Sequence, residues 1–234
     1  MIIIGMVLFD NLTQLDLTAP FEVFSRMPNA KVLLIAQNKN LIISDSGLTI
    51  LPTTTFEETP QYLDILFVPG GPGIGAAIEN KELLTFLKKQ SQTARYITSV
   101  CTGSLVLAAA GLLAGYKATT HWLSMDLLRL FEGVEVIEQR VVIDRNRMTG
   151  GGVTAGLDFG LTLVKEFLGA EKAKEIQLIL EYNPEPPFVG GGSPHSADPS
   201  VCERVKQERA TIQDKRRAQV LKIIHDAAKN AAFF

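Results

Sequence analysis

Short apolar runs alternate with stretches in which apolar residues recur every three or four positions over the first 182 residues. Runs of four to eight apolar or β-branched residues are typical of strands, and the longer period is typical of amphipathic helices. Alternation of the two predicts βα units around a parallel sheet. We therefore expect an α/β fold, a single-domain, largely parallel sheet flanked by helices. The predicted strands are Ile2–Leu8, Lys31–Ala36, Leu63–Val68, Arg95–Val100, Gly115–Thr119, Val134–Glu138, Val141–Asp144 and Arg147–Thr149, with the last three as a meander. The predicted helices are Thr13–Ser25, Asn80–Thr93, Gly103–Ala114, His121–Phe131, Thr154–Phe167 and Ala170–Glu181.

The pattern changes after residue 182. Residues 183–199 are rich in proline and glycine, which is typical of an irregular connector. Residues 200–230 are charged and helical, with a narrow apolar stripe that includes Ile212 and Val220. We expect a catalytic domain over residues 1–182. Over residues 183–234 we expect a connector and a helix that packs on this core or on a second subunit, and the second alternative makes a homodimer the expected assembly.

Composition narrows the function classes. A formal net charge of -2 gives no electrostatic reason to expect a nucleic acid or a membrane as partner. The apolar run Met1–Asp10 lacks the basic start of a signal peptide, and no run approaches the roughly 20 apolar residues of a membrane span. The two cysteines, Cys101 and Cys202, are too few for a disulfide framework, so we expect a reducing, cytoplasmic location. Neither the spacing of metal ligands nor a phosphate-loop pattern is present, so no metal and no cofactor are expected.

Cys101 is the leading candidate for a catalytic nucleophile. It lies between a predicted strand that ends at Val100 and a predicted helix that begins at Gly103, so its sulfur is expected at the carboxyl edge of the sheet, where ligands bind in such folds. The positive end of the helix dipole favours the thiolate there. Gly103 gives the backbone room at a sharp turn, as in the nucleophile elbow of hydrolases. An inert buried cysteine is the alternative.

A glycine turn ends at the same edge of the predicted sheet. Gly70 and Gly71 follow the strand that ends at Val68. The backbone N–H of Gly71, facing that of Thr102, is expected to bind negative charge that develops on a substrate. Glycine lets the backbone approach that substrate closely. Most such turns only reverse the chain. The interpretation of this turn as part of a binding pocket therefore depends on its expected position beside Cys101.

Asp16 is the third candidate at this edge. It comes shortly after the first predicted strand, in a segment expected to lead into a helix with Pro20 in its first turn. A carboxyl group beside a cysteine can accept its proton or pass one to the reacting atoms, and a nearby thiolate raises the pKa of that carboxyl. A helix N-cap is the alternative, with equal weight.

His121 lies at the end of a short predicted strand. It either borders the pocket or starts the next helix as a structural residue. Thiol proteases pair their cysteine with a histidine, whereas here Thr102 follows the candidate nucleophile, which argues against a peptidase.

Together these segments resemble the ThiJ/PfpI superfamily, whose domain is related to the class I glutamine amidotransferase fold, a flavodoxin-like sandwich. The resemblance covers about residues 2–182, and as an ordered set its motifs are highly specific. They are Asp16–Pro20, Val68–Gly71, Ser99–Ser104, Ala118–Trp122 and Thr149–Gly152. Within the superfamily the chain most resembles the bacterial isonitrile hydratases. The features of that likeness are Asp16 in place of a glutamate, Thr102 after the cysteine, Leu180–Tyr182 and a final charged helix with Lys215–Arg217.

The resemblance implies hydration of a small isonitrile, R–N≡C, to an N-substituted formamide. It implies that Cys101 attacks the isonitrile carbon and forms a thioimidate, and that Asp16 relays protons and positions water. It further implies that Thr102 contributes its hydroxyl or amide and that Gly71 belongs to the backbone pocket. A redox-sensing or stress-protective protein with an exposed cysteine of low pKa is the alternative function. A transcription regulator of the same superfamily is disfavoured, because the residues after position 182 are too few for two DNA-binding modules.

Overall fold

The computed structural model of the chain describes residues 1–231. Its strands are β1 (Ile2–Val7), β2 (Ala30–Ala36), β3 (Ile42–Ile43), β4 (Thr49–Ile50), β5 (Thr54–Thr55), β6 (Ile65–Val68), β7 (Tyr96–Val100), β8 (Lys117–Ala118), β9 (Glu135–Val136), β10 (Val141–Asp144) and β11 (Arg147–Gly150). Its helices are α1 (Gln14–Phe24), α2 (Ile74–Glu79), α3 (Lys81–Ser91), α4 (Gly103–Ala109), α5 (Met125–Leu128), α6 (Ala155–Leu168), α7 (Ala170–Ile179) and α8 (Pro199–Ala231), and a 3-10 turn covers Trp122–Ser124.

Seven strands form one sheet in the order β10-β11-β7-β6-β1-β2-β5. All neighbouring pairs are parallel except β10 and β11, which form an antiparallel hairpin at one edge. The predicted α/β fold with a mostly parallel sheet is therefore confirmed. Because β1, β6 and β7 are adjacent and parallel, the segments that follow them meet at one edge of the sheet, as the sequence predicts.

Helices cover both faces of this sheet. Leu66 and Val68 of β6 belong to one core cluster, and Ile65 and Phe67 belong to the other. All four are fully buried, as expected for a central strand whose alternate side chains both find an apolar layer. The first cluster contains residues of α2, α3, α4, α5 and α8, and the second contains residues of α1, α6 and α7.

The predicted meander over Val134–Thr149 is wrong in part. β9 pairs in parallel with β8 in a separate two-stranded sheet, and only β10 and β11 form a hairpin. The expected helix over His121–Phe131 is broken into the 3-10 turn and the single-turn helix α5. The expected helix over Gly103–Ala114 ends earlier because Gly111 adopts a positive φ of 73° and the N–H of Leu112 turns back to the carbonyl of Leu107.

The expectation that Pro20 lies in the first turn of its helix is also wrong. Helix α1 begins at Gln14, so Asp16 occupies the first turn and Pro20 lies in the interior of the helix. A helix with interior proline persists here because α1 packs closely on α6. A Cβ at Gly156 of α6 would lie only 3.0 Å from Cδ of Pro20.

The final helix packs on its own chain. Val220 of α8 is fully buried in the first core cluster, and Lys222 Nζ pairs with Glu79 Oε1 of α2 at 2.8 Å. This is the first of the two placements that the sequence leaves open. Within residues 1–231, the helices lack the combined length and apolar character that crossing a membrane requires.

Candidate active site

Cys101 occupies a strained backbone turn between β7 and α4. Its φ of 53° lies in the left-handed region, which is costly for a residue other than glycine. Hydrogen bonds hold it there: its N–H donates to the carbonyls of Gly150 and Gly151 at 3.0 and 2.7 Å, and its carbonyl accepts from the hydroxyl of Thr120 at 3.0 Å. The surrounding structure thus determines the direction of the cysteine side chain, as in a nucleophile elbow.

Gly103 makes this turn sterically possible. A Cβ at that position would lie 2.3 Å from the carbonyl oxygen of Val68 and 2.7 Å from that of Pro69. The first turn of α4 therefore packs directly against the end of β6, as the predicted role of Gly103 requires. The contact places Cys101 beside the glycine turn that follows β6.

Asp16 is fully buried in the first turn of α1. Thr13 is the N-cap residue of that helix, so the alternative in which Asp16 is the cap is wrong. Burial is the main cause that raises the pKa of Asp16 to about 7, and interactions with the Cys101 thiol and the Gly70 N–H lower it to a smaller extent. Neither carboxyl oxygen has a well-formed hydrogen bond within the described residues. The carboxyl group is thus free to take up a proton near neutral pH.

The Cys101 thiol is protonated at rest. Burial, with the side chain only 5% exposed, and then the negative charge of Asp16 raise its pKa well above the ordinary value. The N–H and hydroxyl of Thr102 act in the opposite direction. Burial thus acts against the thiolate that the sequence predicts at the start of α4, a helix of seven residues. The thiol needs a base, and Asp16 interacts with it directly.

Gly70 provides the space between the two candidate catalytic side chains. A Cβ on Gly70 would lie 2.8 Å from Asp16 Oδ2, 2.6 Å from the backbone nitrogen of Thr102 and 2.7 Å from its hydroxyl oxygen. The structure thus brings Asp16, Gly70, Cys101 and Thr102 together, as the sequence predicts. The groups around this space can donate hydrogen bonds and exchange protons.

The hydrogen bonding of Gly71 differs from the expectation that its N–H faces a substrate. Its N–H donates to the hydroxyl oxygen of Thr102 at 3.0 Å, so it is not a free donor that faces a substrate. Its φ of 141° and the 2.4 Å between a Cβ and the backbone nitrogen of Thr13 explain why glycine is required. The Thr102 hydroxyl donates to the Gly71 carbonyl only over a long 3.5 Å, and its interaction with the Cys101 sulfur lowers the pKa of that thiol.

His121 takes the structural position that the sequence leaves open. Its Nδ1 accepts the N–H of Leu123 at 3.3 Å, which caps the 3-10 turn. Burial, followed by the positive charges of Arg216 and Arg209, lowers the pKa of His121 to about 4, so the imidazole is neutral at pH 7. Among the described residues no hydrogen bond joins His121 to Cys101.

Sequence reasoning missed two kinds of site residue. The carbonyls of Gly150 and Gly151 hold the elbow, but the glycine run of which they are part has the pattern of a flexible loop. Arg216 of α8 is 9% exposed, and its Nη2 donates to the Gly71 carbonyl at 2.9 Å. The cationic run Lys215–Arg217 is visible in the sequence, but nothing there indicates which cation is buried.

A cavity of about 280 Å³ opens beside the site, and none of the candidate catalytic residues lines it. Its wall includes Gln37 and Asn80, whose side chains bond to each other at 3.2 Å. Within residues 1–231, His, Cys, Asp and Glu side chains form no cluster of three that could hold a metal ion.

Comparison with known proteins places the chain among relatives with a similar domain. A family model described as the DJ-1/PfpI family matches residues 3–166. An isonitrile hydratase of Pseudomonas putida is 48% identical over 207 residues, which cover 88% of this chain and 90% of that protein. A crystal structure of a ThiJ/PfpI family protein from Pseudomonas syringae superposes with a TM-score of 0.90 at 44% identity, covering 93% of this chain and 90% of that one. The HTH-type transcriptional regulator GbdR of Pseudomonas aeruginosa is 31% identical over 186 residues, which are 76% of this chain but only 50% of the regulator.

Proposed function

Because this chain belongs to the DJ-1/PfpI family, we propose that it is an isonitrile hydratase, which adds water to R–N≡C and releases an N-substituted formamide. The observation that carries this proposal is the pairing of a strained, protonated Cys101 with a buried Asp16 whose pKa is about 7. The 48% identity to an isonitrile hydratase over most of both chains supports it.

In the first step the Cys101 sulfur adds to the isonitrile carbon. The Asp16 carboxylate accepts the thiol proton as the S–C bond forms, and one π bond of the C≡N group becomes a lone pair. Asp16 then returns the proton to the former isonitrile carbon. The product is the thioimidate R–N=CH–S–Cys101. No group leaves in this step, so the site needs no acid for a departing amine.

In the second step water attacks the thioimidate carbon. The Asp16 carboxylate takes a proton from the water as the C–O bond forms and passes it to the imidate nitrogen. The C–S bond then breaks while Asp16 takes the proton of the new hydroxyl group and transfers it to the departing sulfur, and R–NH–CHO remains. The sum of both steps is one isonitrile and one water for one formamide. A single carboxyl group suffices because each step transfers protons over the same short distance.

Thr102 has the role of stabilising negative charge on the Cys101 sulfur. Its backbone N–H and its hydroxyl both lower the pKa of Cys101. The Gly71 N–H donates to the hydroxyl oxygen at 3.0 Å and thereby fixes its orientation. The sulfur becomes negatively charged when the thiol loses its proton and again when the C–S bond breaks. Both times the N–H and the hydroxyl of Thr102 stabilise that charge.

The redox alternative is not favoured by the site. A cysteine that senses oxidants needs an accessible sulfur of low pKa. Cys101 is 5% exposed, and burial raises its pKa. The fold leaves the resting thiol protected, which suits a nucleophile that is activated only beside its base.

The direct test of this function is turnover. The purified protein is incubated with a small alkyl isonitrile, and the formyl proton of the product is followed by NMR. We expect formamide from the parent protein and none from Cys101→Ala. Absence of formamide from the folded parent protein with several isonitriles of different size would refute the proposal. The homodimer and the cytoplasmic location stay predictions, and analytical ultracentrifugation tests the first of them.

A further inference from the structure

Helix α8 places a buried arginine, Arg216, beside the candidate active site. Arg216 is 9% exposed, although it lies on a helix whose other basic residues at 215 and 217 are exposed. Its Nη2 donates to the carbonyl of Gly71 at 2.9 Å. This helix lies outside residues 3–166, which the family model matches. Arg216 is thus an addition of this chain's C-terminal segment to the family domain.

The positive charge of Arg216 has no carboxylate partner in the structure. No Asp or Glu within the described part of the chain lies at ion-pair distance from it, and its Nε has no hydrogen-bond partner there. A guanidinium remains charged at any pH at which the protein functions. Burying such a charge without a counter-ion is expensive, so a structure that keeps it implies an anion that forms nearby.

Arg216 and the cysteine site meet at the Gly71 carbonyl oxygen, which accepts from Arg216 Nη2 at 2.9 Å and lies 3.5 Å from the hydroxyl oxygen of Thr102, the residue next to Cys101. The Cys101 thiolate is the anion that forms at this place. Among the groups that act on Arg216, the charge of Cys101 is the one that stabilises the guanidinium. Asp16 on α1 is the charged group that acts on the sulfur. The exposed Arg209 of α8 repels Arg216, and both arginines act on the neutral His121. A thiolate balanced by Arg216, with the proton held by Asp16, leaves the pocket with no unbalanced charge.

We propose that Arg216 is the counter-ion of the Cys101 thiolate and a positioning residue for the Gly71–Thr102 contact, supplied to the site by the C-terminal helix. Two consequences follow from one side chain. Its charge stabilises the sulfur anion once the proton has moved to Asp16. Its hydrogen bond to the Gly71 carbonyl holds Gly71 in place, and the N–H of the same residue donates to the Thr102 hydroxyl oxygen beside Cys101. This inference rests on the proposed role of Cys101 as nucleophile.

The test reads the thiol itself, so its outcome is independent of isonitrile turnover. In a Cys202→Ser background, Cys101 is the one remaining cysteine, and its ionisation is titrated by thiolate absorbance at 240 nm against the Cys101→Ala/Cys202→Ser protein. Arg216→Met is expected to raise the apparent pKa of Cys101 by about one unit, the size that loss of a nearby opposite charge produces. Arg216→Lys keeps the charge and is expected to hold the pKa near that of the parent.

Two controls separate the charge from the helix that carries it. Arg217→Met removes an adjacent, exposed cation, and Val220→Ala loosens the buried anchor of α8 while leaving Arg216 in place. Neither is expected to shift the titration. An unchanged pKa in Arg216→Met, a shift in Arg216→Lys as large as that in Arg216→Met, or an equal shift in Val220→Ala would each overturn the proposal. If turnover fails but the Arg216 shift is seen, the proposed substrate is wrong and the counter-ion stands.

Discussion

The ionised carboxyl group of Asp16 opposes ionisation of the Cys101 thiol beside it in one buried pocket. Negative charge on Asp16 raises the pKa of Cys101, and burial raises the pKa of both groups. Two such neighbours cannot both be ionised at modest cost, so the pair holds two protons below about pH 7 and shares one proton above it. The chemistry proposed above needs this arrangement, because the proton that leaves sulfur must return to the substrate.

The pH dependence of turnover follows from this pair. Asp16 accepts a proton only when it is ionised, so kcat/KM is expected to rise with pH and to reach half of its plateau near pH 7, the pKa of Asp16. Asp16→Asn is expected to lower kcat/KM by roughly 10²- to 10⁴-fold, the usual contribution of a general base, and to abolish this rising limb. The measurement is a pH–rate profile of both proteins. If Asp16→Asn kept the rising limb of the profile near pH 7, a group other than Asp16 would be responsible for that limb.

Asp16 also makes stability depend on pH. Its pKa in the folded protein, about 7, lies above the ordinary value of 3.8, so the folded state binds the proton more tightly. The stability contributed by the protonated carboxyl is complete below about pH 4 and is lost as the pH rises through 7. Asn carries no charge at any pH. Asp16→Asn is therefore expected to stabilise the fold at pH 8 by on the order of 2–4 kcal/mol, since each pKa unit corresponds to about 1.4 kcal/mol.

Urea unfolding of the parent and of Asp16→Asn at pH 5 and pH 8 measures that difference. The gain should be clearly smaller at pH 5, where the folded parent is already protonated. An equal gain at both values would mean that the substitution acts through packing or new hydrogen bonds and that the carboxylate carries no burial penalty.

The catalytic side chains are predictable from the sequence because each lies at the start of the helix region that follows a parallel strand. Cys101 comes immediately after β7, and Asp16 lies in the first turn after β1. In a parallel sheet such segments meet at one edge whatever the details of packing. Their pKa values are less predictable, since burial raises the pKa of Cys101 and that burial depends on loops and helices far away in the sequence.

Other parts of the site and of the fold are hard to predict from the local sequence. The acceptors that hold the Cys101 N–H are backbone carbonyls of Gly150 and Gly151, and a backbone group has no residue type by which to recognise it. Arg216 looks like its neighbours on a charged helix until the docking of α8 buries it. Helix α2 escapes detection because Gly75 interrupts its short apolar pattern, and that glycine is required where Gln219 of α8 packs against it.

Gly70→Ala tests whether the space between the carboxyl group and the nucleophile turn is needed. The added methyl group would lie within 3 Å of Asp16 Oδ2 and of Thr102, both buried, so it fills the position where a substrate meets Asp16. We expect loss of at least 100-fold in kcat/KM, an order of magnitude typical of misplaced reacting groups. Gly192→Ala is the matched control, because nothing lies within 4 Å of its Cβ. Gly70→Ala with the activity of this control would show that the substrate lies elsewhere.

Thr102→Val removes the hydroxyl and nearly conserves the volume. The Gly71 N–H, which donates to that hydroxyl at 3.0 Å, loses its acceptor in a buried place, so the fold should lose about 1–3 kcal/mol. Turnover should fall by about 10- to 100-fold as sulfur loses one of its two Thr102 donors. Thr102→Ser restores the hydroxyl and should recover most of both losses. Thermal unfolding and steady-state kinetics of the three proteins give the answer, and a Ser variant as impaired as Val would contradict the role of the hydroxyl.

The most direct measurement is the mass of the protein during turnover. The Cys202→Ser protein, in which Cys101 is the one remaining cysteine, is mixed with a small isonitrile, quenched in acid within milliseconds to seconds and analysed by mass spectrometry with peptide mapping. The account predicts an adduct equal to the full mass of the isonitrile, located on Cys101, that forms and decays as fast as formamide appears. Formamide production at the parental rate by Cys101→Ala, or turnover without any adduct on Cys101, would contradict it.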